Sequence, residues 1–178
     1  MTSPNNNISV RQFSHKSFSE HLFATLEKYQ FSPSCLTLEI TESLFIEEVA
    51  IVKPLFEALK ENDIKISLDD FGTGYSSLSM LKALPIDELK IDKSFIESIA
   101  VDQQSLTMVQ NIIAIGKNFG MVVLAEGVES NEHFSILKTC GCDLMQGYYF
   151  SRPIPYDELC EYLTPTPIET EELPEPKV

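Results

Sequence analysis

The sequence predicts an α/β fold in which helices cover a parallel sheet. Three observations predict it. Short apolar runs rich in β-favouring residues alternate with stretches of helical spacing along most of the 178 residues. That β-α alternation places successive strands in one parallel sheet. Finally, carboxylates, a lysine and amides fall repeatedly at or near the C-terminal ends of the apolar runs, the rim on which barrels of this class carry their chemistry.

The elements follow in order. The polar opening, residues 1–6, reads as a disordered start, and the folded domain is expected over 7–163. "NISV" (Asn7 to Val10) is a strand fragment. Phe18, Leu22, Leu26 and Tyr29 recur at helical spacing. "CLTLEI" (Cys35 to Ile40) alternates as a strand does. Phe45, Val49, Val52, Phe56 and Leu59 mark a helix face, with a kink or restart expected at Pro54. "DIKISLDDF" and "DELKID" are strands. Residues 104–119 form a helix ended by Gly120. "MVVLAEG" is a buried strand, Phe134 and Leu137 mark a short helix, and "CDLMQGYYF" supplies one or two last strands. A helix from Tyr156 to Leu163 begins after Pro155. The remainder, "TPTPIETEELPEPKV" (164–178), is rich in Pro and Glu and reads as a disordered tail.

Six or seven strands result. The choice lies between an open doubly wound sheet and a closed barrel; a closed barrel of this type has eight strands and typically about 250 residues, and the chain is short of that.

Composition narrows the function. The chain has 27 Asp and Glu against 13 Lys and Arg, a formal charge of -14. That argues against a DNA-binding module, which would show a basic face. It leaves room for an anionic small ligand where metal ions invert the local field. The four cysteines (Cys35, Cys140, Cys142, Cys160) contain no C-x-x-C pair and the three histidines are scattered. Zinc is not expected, and reduced, mostly buried thiols are. No apolar run is long enough to span a bilayer and no signal peptide opens the chain, so a cytoplasmic setting is expected.

The polar residues at the strand ends are Asn7, Glu39, Asp69 with Asp70, Lys90 with Asp92, Glu126 and Gln146. In "KISLDDFGTGYSSL" (Lys65 to Leu78), Ile64, Ile66 and Leu68 share one face, so Lys65, Ser67 and Asp69 point into the barrel. Asp70 would point away unless the chain turns, which Gly72 and Gly74 permit. Two adjacent carboxylates raise each other's pKa unless a cation lies between them. Oxygen ligands without His or Cys suit a hard cation such as Mg²⁺ or Mn²⁺, and a pair of such ions clamps a phosphodiester and activates water. Each residue also has an ordinary explanation. The Asp pair can be a turn or helix cap, Lys90 can pair with Asp92 or Glu88, and Gln146 can be a core amide. The recurrence of such groups at one rim favours a site.

"NISVRQF", "LEITES", "DDFGTGYSSL", "LKIDKSFI", "AEGVE" and "QGYYFSRP", in this order, resemble the EAL domain, a family of cyclic di-GMP phosphodiesterases. The resemblance runs from about Asn7 to about Leu163. It implies a (β/α)8 TIM-barrel-like fold in which one strand runs against the others. It also implies hydrolysis of cyclic di-GMP to linear pGpG with two Mg²⁺ or Mn²⁺ ions. Position by position, Asn7, Glu39, Asp69, Asp70 and Glu126 match metal ligands, Asp69 bridging the ions. Lys90 matches the lysine that holds the attacking water. Gln146 matches a second-sphere or substrate-side amide. Glu42 matches the glutamate ordering the loop after the Asp pair, a loop that in this family couples the metal site to a dimer interface. Glu129 matches a supporting acid of the "EGVE" turn. Asp92 belongs to the same substrate-side set. A homodimer is implied, and domains of this kind often follow a sensor or a diguanylate cyclase-like domain.

The Glu-Ala-Leu motif that names the family is absent from its place. Glu57-Ala58-Leu59 lies on a helix and is a chance match. The chain therefore reads as starting about two strands late, short of one metal-ligating Glu, with open sheet edges and an exposed apolar patch. Two readings stay open: a phosphodiesterase domain, or a catalytically inactive module that binds cyclic di-GMP or a protein partner.

Overall fold

The computed structural model describes residues 5–7, 17–42, 49–72 and 78–163, with side chains at all of these except 5–7, 49–51 and 80. Six strands form one sheet in chain order: β1 (Asn5–Asn7), β2 (Thr37–Thr41), β3 (Lys65–Phe71), β4 (Glu88–Ile91), β5 (Val122–Ala125) and β6 (Leu144–Met145). Every adjacent pair is parallel. Among the described residues no strand runs against the others. The helices are α1 (Phe18–Lys28), α2 (Val49–Glu61), α3 (Leu78–Ala83), α4 (Lys93–Ile96), α5 (Gln103–Asn118), α6 (Asn131–Cys140) and α7 (Tyr156–Leu163).

Alternation in the strands decides what the sheet buries. Leu38 and Ile40, Ile66 and Leu68, Leu89 and Ile91, and Val123 and Ala125 are buried and belong to the apolar core. Helix residues Phe56, Leu59, Ile96, Val109 and Ile112 join the same core. The intervening strand residues form the other face, and there the buried set is polar: Thr37, Glu39, Ser67 and Lys90. Burial on both faces is the usual state of a parallel sheet. Helix α5 lies close on the sheet because Gly116 has no side chain; a Cβ there would fall 2.4 Å from Val123 Cγ2.

Several expectations shift. Strand β1 begins at Asn5, and residues 8–10, expected as strand, lie outside the described set, as do Phe45 and the tail from Thr164. Tyr29 caps α1 and is 69% exposed, off the packed face that Leu26 anchors. Helix α2 runs through Pro54 without a break in its assigned span; the residue is exposed, so its ring faces solvent. Residues 148–150 form turns rather than a strand. The thiols are free, but Cys35 and Cys160 are exposed and Cys140 and Cys142 only half-buried. Cys35 ends a 3-10 turn (Pro33–Cys35) and Cys160 rides on α7, which buries none of its residues. Leu144, Tyr148, Phe150, Tyr156, Leu159 and Leu163, on β6, α7 and the segment between them, are all exposed.

Candidate active site

The polar face of the sheet converges on Lys90. Its ammonium lies 2.8 Å from Glu39 Oε1, 3.1 Å from Asp69 Oδ1 and 2.7 Å from Glu126 Oε1. The register explains the convergence. Glu39 comes from the middle of β2, Asp69 from the C-terminal part of β3, Lys90 from β4, and Glu126 from the residue just after β5. Burial of the ammonium by itself would lower its pKa; hydrogen bonds to Glu126 and Glu39 outweigh this and hold it above its usual range. Burial, opposed by Lys90 and reinforced by Asp69 and Glu39, raises the Glu126 pKa.

The Asp pair is arranged by the sheet. Leu68 pairs with Leu89 and Phe71 with Ile91, so two residues of β3, Asp69 and Asp70, stand where β4 has one, Lys90. This is a β-bulge, which re-aims side chains next to functional sites. Asp70 itself takes the left-handed conformation, φ 57°. Gly72 follows with φ 99°, so the expected turn on that glycine is present and the bulge begins it two residues earlier; Gly74 lies outside the described residues. Burial, then the charges of Asp69 and Asp92, raises the Asp70 pKa, and the Asp92 side chain lies within hydrogen-bonding reach of it. Asp92 also caps α4, accepting from Ser94 N at 3.0 Å. Those bonds from Ser94 hold its carboxyl below the usual range even though burial alone would raise it.

The other expected residues fall around this centre. Gly72 N donates to Glu42 Oε2 at 3.2 Å, which ties the end of β2 to the chain just past the Asp pair. Glu129 and Gln146 line a cleft that also includes Glu126 and Lys93. Gln146 is exposed and anchored through its backbone, N to Ala125 O at 2.9 Å and O from Val128 N at 3.0 Å. Asn7 sits beside Glu39 in the β1–β2 register; its side chain is outside the described set. Lys93 and Tyr148, which the sequence did not single out, also line the cleft that holds Glu129 and Gln146.

The donor set fits hard cations. One ammonium serves three carboxylates, and two further carboxylates, Asp70 and Asp92, meet nearby with a raised pKa on the first. The centre is short of positive charge and its ligand atoms are oxygens, the combination that hard divalent ions satisfy. Among the described residues no three His, Cys, Asp or Glu side chains hold an ion site by themselves; the acids close on the Lys90 ammonium instead.

Residues 2–153 match the EAL domain. The chain belongs to the EAL domain family. This EAL domain is 44% identical over 161 residues to the signaling protein YkoW of Bacillus subtilis, covering 90% of the chain and 20% of YkoW. It is 39% identical over 153 residues to the bifunctional diguanylate cyclase/cyclic di-GMP phosphodiesterase MucR of Pseudomonas aeruginosa, covering 86% of the chain and 22% of MucR. The solved MucR phosphodiesterase in complex with cyclic di-GMP superposes with a TM-score of 0.83 at 38% identity, over 88% of this chain and 64% of that one. Klebsiella pneumoniae BlrP1, solved as a manganese/cyclic di-GMP complex, gives a TM-score of 0.77 at 29% identity, over 85% of this chain and 39% of that one. The chain thus spans about a fifth of the curated relatives' length. The likeness to these structures identifies the fold as TIM-barrel-like, and six of its strands are described.

Proposed function

We propose that this EAL domain hydrolyses cyclic di-GMP to linear pGpG with two divalent ions, Mg²⁺ or Mn²⁺. The observation that carries the reading is the convergence of Glu39, Asp69 and Glu126 on Lys90 opposite the bulge that presents Asp70. Glu39, Asp69, Asp70 and Glu126, with Asn7 from β1, are the residues that would hold the ions. Bound there, the ions would polarise the phosphodiester and lower the pKa of water.

The chain's own groups account for the rest. Lys90 donates to the attacking water and fixes its orientation. Asp69 Oδ1 and Glu126 Oε1 flank the ammonium, so a water held by Lys90 has a proton acceptor on either side. The water oxygen bonds to phosphorus, its proton passes to one of those carboxylates, and the bond from phosphorus to the ribose 3′ oxygen breaks. That oxygen takes up a proton from solvent and leaves as the 3′ hydroxyl, and the phosphate stays on the 5′ side, as the product pGpG requires. Glu42 holds the chain after the Asp pair through Gly72, while Glu129, Gln146 and Asp92 face the substrate side. Homodimerisation, a cytoplasmic setting and control by a sensor or cyclase-like domain on the same polypeptide complete the reading; the greater length of YkoW and MucR supports the last of these. No helix among the described residues is long and apolar enough to cross a membrane.

Incubation with cyclic di-GMP and Mn²⁺ or Mg²⁺, with pGpG followed by chromatography, tests this. The expected result is metal-dependent turnover that Asp69→Ala abolishes. A second reading, binding of cyclic di-GMP without turnover, draws on the Lys90 ammonium filling the space between the acids. Saturable binding to a folded sample with no pGpG formed would select it.

A further inference from the structure

A fourth carboxylate shares the polar face of the sheet with the Lys90 centre and takes no part in it. Glu88 precedes Lys90 by two residues on β4, so both side chains leave the same face, about 6.6 Å apart along the strand. Glu39, Asp69 and Glu126 hold the ammonium at 2.7–3.1 Å. Glu88 is half-buried and, among the described residues, is not an ion-pair partner of Lys90. Ser67 engages it instead, donating its hydroxyl to Glu88 Oε1 at 2.7 Å. Ser67 is fully buried. It stands beside Glu39 in the β2–β3 register and beside Glu88 in the β3–β4 register. The bond from Lys90 to Glu39 therefore spans β3, two strand spacings or about 10 Å, and Ser67 is small enough to leave that line open.

We propose that Ser67 is a positioning residue for the Lys90 centre: by holding the Glu88 carboxylate it keeps the ammonium at the rim, among Glu39, Asp69 and Glu126. The effect on turnover rests on the phosphodiesterase reading; the effect on the acids does not. An ammonium has three N–H donors, and three rim carboxylates take them. A fourth acid within reach competes for one. A half-buried carboxylate without a donor is costly. Stripped of the Ser67 hydroxyl, Glu88 gains most from the ammonium, a bond with charge on both partners. That bond draws Lys90 one pleat towards the N-terminal end of β4. Two consequences follow, and they differ in sign. The ammonium recedes from the attacking water, which slows turnover. It also recedes from the acids, so a divalent ion that competes for the same oxygens binds more tightly. A general loosening of the centre would weaken both.

Two readouts on the 178-residue chain test the proposal: Mn²⁺ binding without nucleotide, followed by the paramagnetic resonance of free Mn²⁺, and pGpG formation at saturating cyclic di-GMP. Ser67→Ala is expected to bind Mn²⁺ about threefold more tightly, because the acids are less neutralised. The same variant is expected to lose about tenfold in kcat, the worth of one hydrogen bond. The double variant Ser67→Ala/Glu88→Gln, whose uncharged amide offers the ammonium no ion pair, returns both quantities to within about twofold of wild type. Far-UV circular dichroism confirms that each variant is folded. Mn²⁺ affinity that is equal in wild type and Ser67→Ala overturns the proposal. So does a Ser67→Ala variant that binds Mn²⁺ more weakly and turns over more slowly, with no recovery in the double variant. A wild-type chain that binds Mn²⁺ but forms no pGpG overturns the phosphodiesterase reading alone, and the Mn²⁺ comparison then decides the place of Ser67. A wild-type chain that takes up no Mn²⁺ overturns both.

Discussion

Replacing Lys90 by Met tests whether the centre is built around a charge. The ammonium is 5% exposed and contacts three carboxylates at 2.7–3.1 Å. At an effective dielectric constant of about 20, each contact is worth on the order of 5 kcal/mol of Coulomb attraction. Desolvation of the ammonium and mutual repulsion of the acids cancel most of that. Removing one partner of a buried pair typically costs about 3–5 kcal/mol, a large part of the roughly 5–15 kcal/mol of a whole domain. The sign with pH is fixed by the direction of the shift. A lysine held above 10.5 in the folded state contributes fully below its unfolded pKa and loses that contribution only as pH rises through the folded value. Near neutral pH the whole effect is therefore present. The assay is urea unfolding in EDTA, followed by circular dichroism. With a slope of about 2 kcal/mol per molar urea, the Lys90→Met midpoint should fall by about 2 M, and added Mn²⁺ should recover part of the loss by neutralising the same acids. An unchanged midpoint in EDTA would refute the electrostatic account of the centre.

Gly116→Ala drives a Cβ to 2.4 Å from Val123 Cγ2 and should cost about 1–3 kcal/mol, read as a lower thermal midpoint with unchanged far-UV spectrum. Ser130→Ala removes the acceptor for His133 N at the start of α6 and should cost about 1 kcal/mol, read by urea unfolding. Burial pushes the Cys142 thiol up to about 11, so at pH 8 roughly one molecule in a thousand is thiolate. Iodoacetamide should label exposed Cys35 and Cys160 first, and Cys142 labelling should rise about tenfold per pH unit towards that value, as mapped by peptide mass spectrometry.

The elements were largely legible because burial on one side leaves a periodic trace. Ile64, Ile66 and Leu68 alternate, and all three are fully buried. Likewise α5 carries Val109, Ile112, Ile113 and Gly116 on its packed face. The rim was legible because polar residues at strand ends have nothing apolar to do there. The bulge was not, because strict alternation assigns Asp70 to the wrong face, and only the residue count on β4 reveals the extra residue. The run Tyr148 to Phe150 has strand-like composition, yet Tyr149 and Phe150 pack against Phe134 of α6 from a turn. Lys93 reads as an ordinary helix surface residue, since its place beside Gly127 depends on how β4 and β5, far apart in sequence, align. That Glu129 and Gln146 line one cleft is a matter of the fold, which no local pattern encodes.

The two-for-one step in β3 gives the domain an unusual vulnerability to length rather than to chemistry. Deleting either aspartate would let β3 fall into step with β4 and yield a more regular ladder. Phe71 would stay opposite Ile91, but a single carboxylate would then stand where two now face Lys90. Substituting the same residue changes one carboxylate; removing it also abolishes the bulge that aims the other. An idealised redesign of this backbone, scored for smooth pairing, would erase the irregularity and the convergence on Lys90 together.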